Sequence, residues 1–161
     1  MDAYTSFARV YDAFMDNIPY EEWGRYIRSL LEEYGVRNGL VLDLGCGSGI
    51  LSIAALRLGA ASAFACDIDE KCVDVAYENA AINGIGKDRY TVRWGNVVTD
   101  RALQGEFGGE YDIVVANIVA DVIIGISPQV RPFLKKGGLF LCSGIIDTRA
   151  EEVADRLRQD G

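Results

Sequence analysis

One stretch of the sequence decides the fold: Val41-Leu42-Asp43-Leu44-Gly45-Cys46-Gly47-Ser48-Gly49. An apolar run that holds one acidic residue enters three glycines at alternate positions, and apolar residues at helical spacing follow from Ile50 to Leu58. Glycine lets the backbone turn sharply and lets a ligand approach the main chain. A helix N-terminus presents unpaired N–H groups to such a ligand. The stretch therefore predicts a buried strand, a tight turn and a helix beside a ligand site.

Strands and helices alternate from residue 39 onward. The predicted strands are Leu40–Leu44, Ala61–Cys66, Arg89–Trp94, Tyr111–Ala116 and Leu139–Cys142. The predicted helices are Ser48–Leu58, a helix capped by Asp67 or Asp69 that ends near Asn83, Val119–Phe133 and Thr148–Arg158. We expect a polar loop at Gly105, Gly108 and Gly109, and a kink or break near Gly125 and Pro128. Continuous apolar strands separated by helices indicate an α/β fold whose parallel sheet is covered on both faces.

Residues 1–35 predict two helices ahead of this core. Tyr4, Phe7, Tyr11 and Phe14 recur at helical spacing, and Pro19 suits the start of the second helix. Two interpretations are open. Either both helices cover one face of the sheet, or the first closes over the ligand with Tyr4, Phe7 or Tyr11 touching it. We expect a single domain over residues 1–161, with a helical lid at 1–35 and a core at 39–161.

The composition is that of a globular protein. A chain of 161 residues suits one domain with a sizeable core, and half of its residues are hydrophobic. Its net charge of −8, with no long basic run, makes a nucleic-acid partner an unfavoured interpretation. The N-terminus lacks the organisation of a signal peptide, and no apolar run reaches transmembrane length. We therefore expect a cytoplasmic protein with no membrane partner.

Cysteine and histidine usage narrows the chemistry further. Cys46, Cys66, Cys72 and Cys142 lack metal-type spacing, so we interpret them as reduced thiols in the cytosol and expect no metal site. The sequence contains no histidine. Triad hydrolases, most zinc enzymes and any histidine general base are thereby excluded.

The glycine turn distinguishes between two kinds of nucleoside ligand. A dinucleotide site has a small residue three positions after its second glycine, and here that position is Ile50. Asp43, two residues before the first glycine, is unhelpful to a pyrophosphate but suits an ammonium group. Asp67, at the end of the second strand, can accept both ribose hydroxyls. A ligand with an ammonium, a ribose and no phosphate is S-adenosylmethionine. The alternatives are a nicotinamide dinucleotide and a plain tight turn without a ligand.

The segment from about Leu40 to Ile146 resembles a class I S-adenosylmethionine-dependent methyltransferase, and within that superfamily its motifs resemble the ribosomal protein L11 methyltransferase family. The resemblance rests on Val41–Ala55, Asp67–Asp69, Glu78–Ala80, Asn83-Gly84, Ala116–Ile123, Leu134–Gly138 and Ser143–Ile146. It implies a Rossmann-like, doubly wound, mainly parallel sheet in the order 3-2-1-4-5. It also implies methyl transfer to an amino nitrogen of a protein, which is the expected methyl acceptor.

The resemblance breaks at both ends of the chain. The family's separate N-terminal substrate-recognition domain is not found, and residues 1–34 are similar instead to the opening of small methyltransferases that act on small molecules or RNA. The sixth and seventh strands that usually complete the sheet are also not found. We therefore expect a mosaic or truncated form, in which the core comes from one subfamily and the lid from another.

The resemblance and the chemistry together assign roles to individual residues. Asp43 and the backbone of Gly45, Cys46, Gly47 and Gly49 are expected to hold the methionine part of the cofactor, and Asp67 its ribose. The further expected cofactor contacts are Ile68 on the adenine, Asn96 and Val97 at the adenine edge, Asn117, and Tyr11 from the lid. For Asn96, a purely turn-forming role is an equal alternative.

Asn117 is the expected catalytic residue. It ends the fourth strand at the crevice where open α/β sheets bind their ligands. In amino-group methyltransferases, an asparagine in this setting accepts a hydrogen bond from the substrate nitrogen and aims its lone pair at the methyl group. The alternative is that Asn117 only caps the following helix.

Three competing functions remain open from the sequence. Without the terminal strands, an open sheet edge invites pairing with a second chain, so the protein could be a weakly active or inactive homodimer that binds the cofactor. A second alternative is methylation of a small molecule or RNA. A third is a regulatory or structural protein with no use for the cofactor.

Overall fold

The computed structural model describes residues 38–161 together with Arg25, Ser29, Glu32 and Glu33, which are helical. The chain divides into two compact units, Met1–Val36 and Arg37–Gly161, and the second unit contains the sheet. The predicted lid contacts of Tyr4, Phe7 and Tyr11 lie outside the described residues. Within the described part of the chain, no helix is long and apolar enough to cross a membrane.

Five strands alternate with helices along this second unit. The strands are β1 (Leu40–Leu44), β2 (Ser62–Asp67), β3 (Tyr90–Trp94), β4 (Tyr111–Asn117) and β5 (Leu134–Ser143). The helices are α1 (Ile50–Arg57), α2 (Lys71–Ile82), α3 (Arg101–Phe107), α4 (Ala120–Val130) and α5 (Ala150–Asp160), with short 3₁₀ turns at Arg131–Phe133 and Asp147–Arg149. β1 coincides with its predicted bounds, while the predicted bounds of β2, β3 and β4 differ from the observed ones by one residue at one or both ends.

The strands form one parallel sheet in the order β3-β2-β1-β4-β5, flanked by the helices. This confirms the predicted Rossmann-like sheet. β1 lies at the centre, where Val41 is in register with Ala63 of β2 and with Ile113 of β4. Its residues Val41 to Leu44 are all buried, which explains the nearly continuous apolar run that predicted it. Because all five strands run in the same direction, their carboxyl ends lie together at one end of the sheet.

Local structure differs from the predictions in three places. The polar loop was wrongly predicted, because the region contains α3, which Asp100 caps by accepting a hydrogen bond from the Leu103 N–H at 3.0 Å. Of the kink or break expected near Gly125 and Pro128, the break does not occur, since α4 continues through both residues to Val130. The N-cap of α2 is Glu70, while Asp69, one of the two predicted caps, accepts a hydrogen bond from the N–H of Lys71, the first helical residue, at 3.0 Å.

The fifth strand begins earlier than predicted, at Leu134, and contains a bulge. Leu134 pairs with Tyr111, whereas the next paired residue, Leu139, lies opposite Ile113. The residues between them bulge out, and Lys135 forms an ion pair with Asp112. Gly137-Gly138 therefore lies in a bulge within the strand, which the sequence predicted to begin only at Leu139.

Tyr77 of α2 covers the outer edge of β3. Its hydroxyl accepts a hydrogen bond from the Val92 N–H at 2.9 Å, and the Lys87 ammonium lies 4.2 Å from the centre of its ring. Among the described residues, β3 pairs only with β2, and β5 only with β4, so these two strands are the edges of the sheet. The Tyr77 hydroxyl thus binds the β3 edge at Val92, while Leu141 on β5 is half exposed.

Candidate functional site

The glycine turn is held against the end of β2 by three backbone donors. The N–H groups of Gly45 and Cys46 both donate to the carbonyl oxygen of Cys66, at 2.9 and 3.0 Å. The Gly47 N–H donates to Asp67 Oδ2 at 2.8 Å. The Gly49 N–H closes the turn by donating to the carbonyl oxygen of Cys46 at 2.8 Å. The turn therefore has a fixed shape before any ligand is considered.

The three glycines of the turn are required for different reasons, although all have positive φ, at 77°, 52° and 81°. A Cβ on Gly45 would lie 2.5 Å from Cγ2 of Ile118. A Cβ on Gly49 would lie 2.7 Å from the Tyr90 hydroxyl oxygen. A Cβ on Gly47 would meet nothing within 4 Å, so this glycine faces open space. The first and last glycines permit close packing, and the middle one leaves room beside the turn.

Asp43 lies fully buried beneath the turn. Its Oδ2 accepts hydrogen bonds from the Ser52 hydroxyl at 2.7 Å and from the Ser52 N–H at 3.2 Å, which ties β1 to α1. Its Oδ1 has no hydrogen-bond partner among the described residues. Burial raises the pKa of Asp43 to about 6, against the hydrogen bonds from Ser52, which favour the charged form. The sequence did not suggest Ser52 as the partner of this carboxylate.

Asp67 uses both carboxylate oxygens to shape the site. Oδ2 accepts the Gly47 N–H, and Oδ1 accepts the Asp69 N–H at 2.9 Å. A carboxylate offers about four acceptor positions in all. Asp67 can therefore hold the turn in place and still accept hydrogen bonds from a ligand.

A cleft opens at the carboxyl ends of β1, β2, β3 and β4. It is lined by Gly45, Cys66, Asp67, Ile68, Gly95, Asn96, Val97, Val98, Ile118 and Val122. Five residues expected from the sequence are among them, namely Gly45, Asp67, Ile68, Asn96 and Val97. Asp43, Cys46, Gly47, Gly49 and Asn117 are not part of this lining. The cleft combines one carboxylate and one amide with apolar walls, which suits a purine nucleoside.

Sequence reasoning missed the apolar half of the lining, chiefly Ile118 and Val122. Aliphatic residues after a strand are equally typical of a core, so nothing in their type marks them as ligand contacts. Ile118 had one available signal. It directly follows Asn117, at the end of a central strand where open α/β sheets bind ligands.

Asn96 is the turn-forming residue that one interpretation expected, and it also lines the cleft. Its Oδ1 accepts a hydrogen bond from the Val98 N–H at 2.9 Å, and its carbonyl oxygen accepts the N–H groups of Thr99 and Asp100. Its side-chain acceptor is therefore already engaged by the backbone. Val97 beside it is buried and packs in the hydrophobic core that includes Leu44 and Val114.

The two cysteines near the turn are buried thiols. Burial raises the pKa of Cys66 to about 12 and raises the pKa of Cys46 as well. Both therefore stay protonated at neutral pH. What these two residues contribute to the site is a backbone hydrogen bond, in which the Cys46 N–H donates to the Cys66 carbonyl oxygen. In the region covered by the structure, no three His, Cys, Asp or Glu side chains form a group that could hold a metal ion.

Asn117 ends β4 with its side chain exposed. It does not cap the following helix, because the N-cap of α4 is Val119 and no side chain forms a cap hydrogen bond there. The alternative structural role for Asn117 is therefore wrong. Asn117 directly precedes Ile118, which lines the cleft, and its Oδ1 would lie 2.9 Å from a Cβ on Gly144, the residue after β5.

A family model described as ribosomal protein L11 methyltransferase (PrmA) matches residues 28–161. A ribosomal protein L11 methyltransferase from Lachnospira eligens is 42% identical over 140 residues, covering 86% of this chain and 44% of that protein. The one from Acetivibrio thermocellus is 47% identical over 133 residues, covering 82% of this chain and 40% of that protein. The chain thus spans less than half the length of these curated relatives.

Solved structures agree with this assignment. The crystal structure of a ribosomal protein L11 methylase from Lactobacillus delbrueckii subsp. bulgaricus has a TM-score of 0.71 and 34% sequence identity. It is matched over 83% of this chain and 66% of that chain. An S-adenosylmethionine-dependent methyltransferase from Clostridium acetobutylicum shares the fold alone, with a TM-score of 0.63 and 19% identity. From its family match and its fold, the chain belongs to the ribosomal protein L11 methyltransferase (PrmA) family.

Proposed function

We propose that this chain binds S-adenosylmethionine in the cleft and transfers its methyl group to an amino nitrogen of a protein. The observation that carries the proposal is that three features lie together where the strands of the sheet have their carboxyl ends. These are the glycine turn held by Asp67, the apolar cleft beside it, and the exposed amide of Asn117 at the end of β4. The names of the relatives support the same activity.

Asp43 supports a cationic ligand at the turn. Its buried Oδ1 without a described partner and its raised pKa both mean that the charged carboxylate is poorly compensated in the protein alone. An ammonium group near the turn would stabilise that charge. The methionine part of the cofactor carries such a group, whereas a pyrophosphate would be repelled. The N–H groups of Gly45, Cys46, Gly47 and Gly49 are themselves already bonded to Cys66, Asp67 and Cys46, so their role is to shape the site.

The side chains that line the cleft support the binding of an adenosine group. The remaining acceptor positions of Asp67 suit the two ribose hydroxyls. Ile68, Val97 and Ile118 offer apolar surface to the faces of a purine. Mostly apolar walls with a few placed polar groups are the usual composition of a small-molecule site.

Asn117 is the proposed catalytic residue. The cofactor supplies a methyl group that is already activated by a positive sulfur. The protein's contribution is then to place the acceptor nitrogen in line with it. The side-chain carbonyl of Asn117 can accept a hydrogen bond from the amine and so fix the direction of its lone pair. A neutral amine needs no strong base in this step, which agrees with a sequence that has no histidine.

The test separates binding from transfer. Calorimetry with S-adenosylmethionine should show weaker binding for Asp67→Ala and near-normal binding for Asn117→Ala. Transfer of a radiolabelled methyl group to ribosomal protein L11 should be slow for Asn117→Ala. Failure of the parent chain to bind the cofactor would overturn the proposal. Binding with transfer only to RNA or to a small molecule would replace the proposed acceptor by one of those alternatives.

The free edge of β5 supports a homodimer as the second part of the proposal. Within the described residues this edge is unpaired, whereas the Tyr77 hydroxyl occupies the edge of β3. Edge strands that are neither covered nor blocked pair readily with another chain. Light scattering should give twice the mass of the chain, and a monomer at all concentrations would contradict the dimer.

The four unpaired cysteines support a reducing compartment, and we propose the cytoplasm.

A further inference from the structure

We infer that Gly144 is a positioning residue that sets the direction of the Asn117 side chain. This inference rests on the proposed function, since it concerns the proposed catalytic amide. It names a residue outside the cleft lining and outside the glycine turn. Gly144 directly follows β5, which ends at Ser143.

The pairing of β4 with β5 brings Gly144 against Asn117. Asn117 is in register with Ser143, and the Ile118 N–H donates to the Ser143 carbonyl oxygen at 3.2 Å. The backbone contact therefore continues one residue beyond the strand. The next residue, Gly144, then crosses close to the Asn117 side chain.

The space at Gly144 is too small for a Cβ. Such an atom would lie 2.9 Å from Asn117 Oδ1, 3.0 Å from the Ile118 carbonyl oxygen and 3.2 Å from the Ile118 nitrogen. Two of these three neighbours are backbone atoms, which cannot turn aside as a flexible side chain could. The contact with Asn117 Oδ1 is the shortest of the three, and the amide can rotate, so we expect it to turn away when a methyl group is added.

Packing is what orients this amide. Asn117 is exposed, and its side chain forms no hydrogen bond with any residue that the structure describes. Its Oδ1 lies 2.9 Å from the place where a Cβ on Gly144 would stand, so the missing side chain leaves the space that this oxygen occupies. The same oxygen is the one proposed to receive the hydrogen bond of the acceptor amine.

The chain offers a matched control at Gly137. Its φ is 80°, close to the 83° of Gly144, and it lies in the bulge of the same strand. A Cβ on Gly137 would meet nothing within 4 Å. Gly137→Ala and Gly144→Ala therefore share the cost of a positive φ, whereas only the Cβ of Gly144→Ala meets Asn117 and the backbone of Ile118.

The experiment compares the parent chain, Gly144→Ala, Gly137→Ala and Asn117→Ala. The affinity for S-adenosylmethionine is measured by calorimetry, and single-turnover transfer to ribosomal protein L11 by a radiolabelled methyl group. We expect Gly144→Ala to keep its cofactor affinity and to slow transfer by on the order of 10- to 100-fold, as small misplacements in active sites do. Gly137→Ala should match the parent in both. Equal transfer rates for the two alanine variants would overturn the inference.

A second readout is independent of activity. The side-chain NH₂ signal of Asn117 in a nitrogen-15 NMR spectrum is identified by its loss in Asn117→Ala. It should shift in Gly144→Ala and stay in place in Gly137→Ala. In the parent chain the side-chain protons of Asn117, its β-protons included, should show a nuclear Overhauser contact to the Gly144 α-protons. This last measurement needs no variant, so it decides the inference even where Gly144→Ala does not fold.

The outcomes separate the two proposals. A parent chain that binds no cofactor and transfers no methyl group overturns the proposed function, while the NMR contact still tests the geometry. If the parent chain transfers the methyl group normally and the Asn117 NH₂ signal has the same position in Gly144→Ala as in the parent, only the positioning role of Gly144 is overturned.

Discussion

Asp67 Oδ2 and the backbone nitrogen of Gly47 lie 2.8 Å apart, so the carboxylate at the end of β2 holds the middle of the glycine turn that follows β1. This hydrogen bond joins two neighbouring parallel strands just beyond their carboxyl ends. One side chain therefore both shapes the turn and faces the cleft. A substitution of Asp67 changes the two together.

Asp67→Ala should weaken the binding of S-adenosylhomocysteine by on the order of 10- to 100-fold, because hydrogen bonds to a charged group contribute about 1.5–3 kcal/mol. Calorimetry with this ligand and with its 2′-deoxy analogue separates the ribose contact from the loop contact. The parent chain should prefer the ribose form, and the variant should bind both forms alike. A variant that keeps the parent's preference would show that Asp67 serves the turn alone.

Asp43→Asn should stabilise the protein above pH 6. The folded-state pKa of Asp43 is raised to about 6 from 3.8, so between these values the folded state holds a proton that the unfolded state has released. Stability therefore falls as the pH rises through this window and stays low above it, by about 3 kcal/mol at 1.36 kcal/mol for each pKa unit. The asparagine amide of the variant cannot ionise, so the variant does not lose this stability.

The free energy of unfolding in urea, measured from pH 4 to pH 8, checks this expectation. The gap between Asp43→Asn and the parent should open between pH 4 and pH 6 and then remain constant. Asp74→Asn, a change at an exposed carboxylate, is the control and should show little of this trend. A gap of the same size at every pH would mean that packing, and not charge, distinguishes the two proteins.

The affinity for S-adenosylmethionine should fall as the pH drops below about 6. An ammonium ligand favours the charged carboxylate, so binding lowers the pKa of Asp43 and releases a proton near pH 6. Calorimetry in two buffers with different ionisation enthalpies counts that proton directly. Asp43→Asn should bind more weakly at neutral pH and release none. Equal proton release by the variant and the parent would place the titrating group elsewhere.

Gly49→Ala should be destabilising, and Tyr90→Phe should relieve part of the loss. Positive φ costs alanine about 1–2 kcal/mol, and the new Cβ would lie 2.7 Å from the Tyr90 hydroxyl oxygen. Tyr90→Phe removes that oxygen and keeps the ring. A double-mutant cycle should therefore give a favourable coupling energy of about 0.5–3 kcal/mol.

Gly47→Ala supplies the control for this cycle, because its Cβ meets nothing within 4 Å while its φ is also positive, at 52°. It should show the backbone cost alone and no coupling to Tyr90→Phe. Additive free energies in the Gly49 cycle would contradict close packing between Gly49 and the tyrosine.

The strand pattern could be predicted because each strand is a short apolar run between turn residues, as in Leu40–Leu44. Helix α3 was missed because Gly105, Gly108 and Gly109 suggested a loop, although Asp100 is a typical N-cap. The polar residues of the candidate site, such as Asp67 and Asn117, were predicted from their places at strand ends. Ser52 and Gly144 were not, because each acts through a contact that exists only once the chain is folded, with Asp43 and Asn117 respectively.

Tyr77→Phe should expose the outer edge of β3. The variant loses the hydroxyl that accepts the Val92 N–H and keeps the ring beside Lys87. We expect a loss of about 1 kcal/mol in the free energy of unfolding, and a Val92 amide that exchanges faster in hydrogen-exchange measurements. A Val92 amide as protected as in the parent would mean that other groups cover this edge.

The Tyr77 hydroxyl bears on the symmetry of the proposed dimer. A sheet with two free edges can join β3 of one chain to β5 of the next, and such contacts generate open filaments when they do not close on themselves. Because the hydroxyl binds the Val92 N–H on the β3 edge, we expect the proposed pairing to use the β5 edge of both copies. A contact of that kind has twofold symmetry and closes at two chains, so Tyr77 would favour a closed dimer over a polymer.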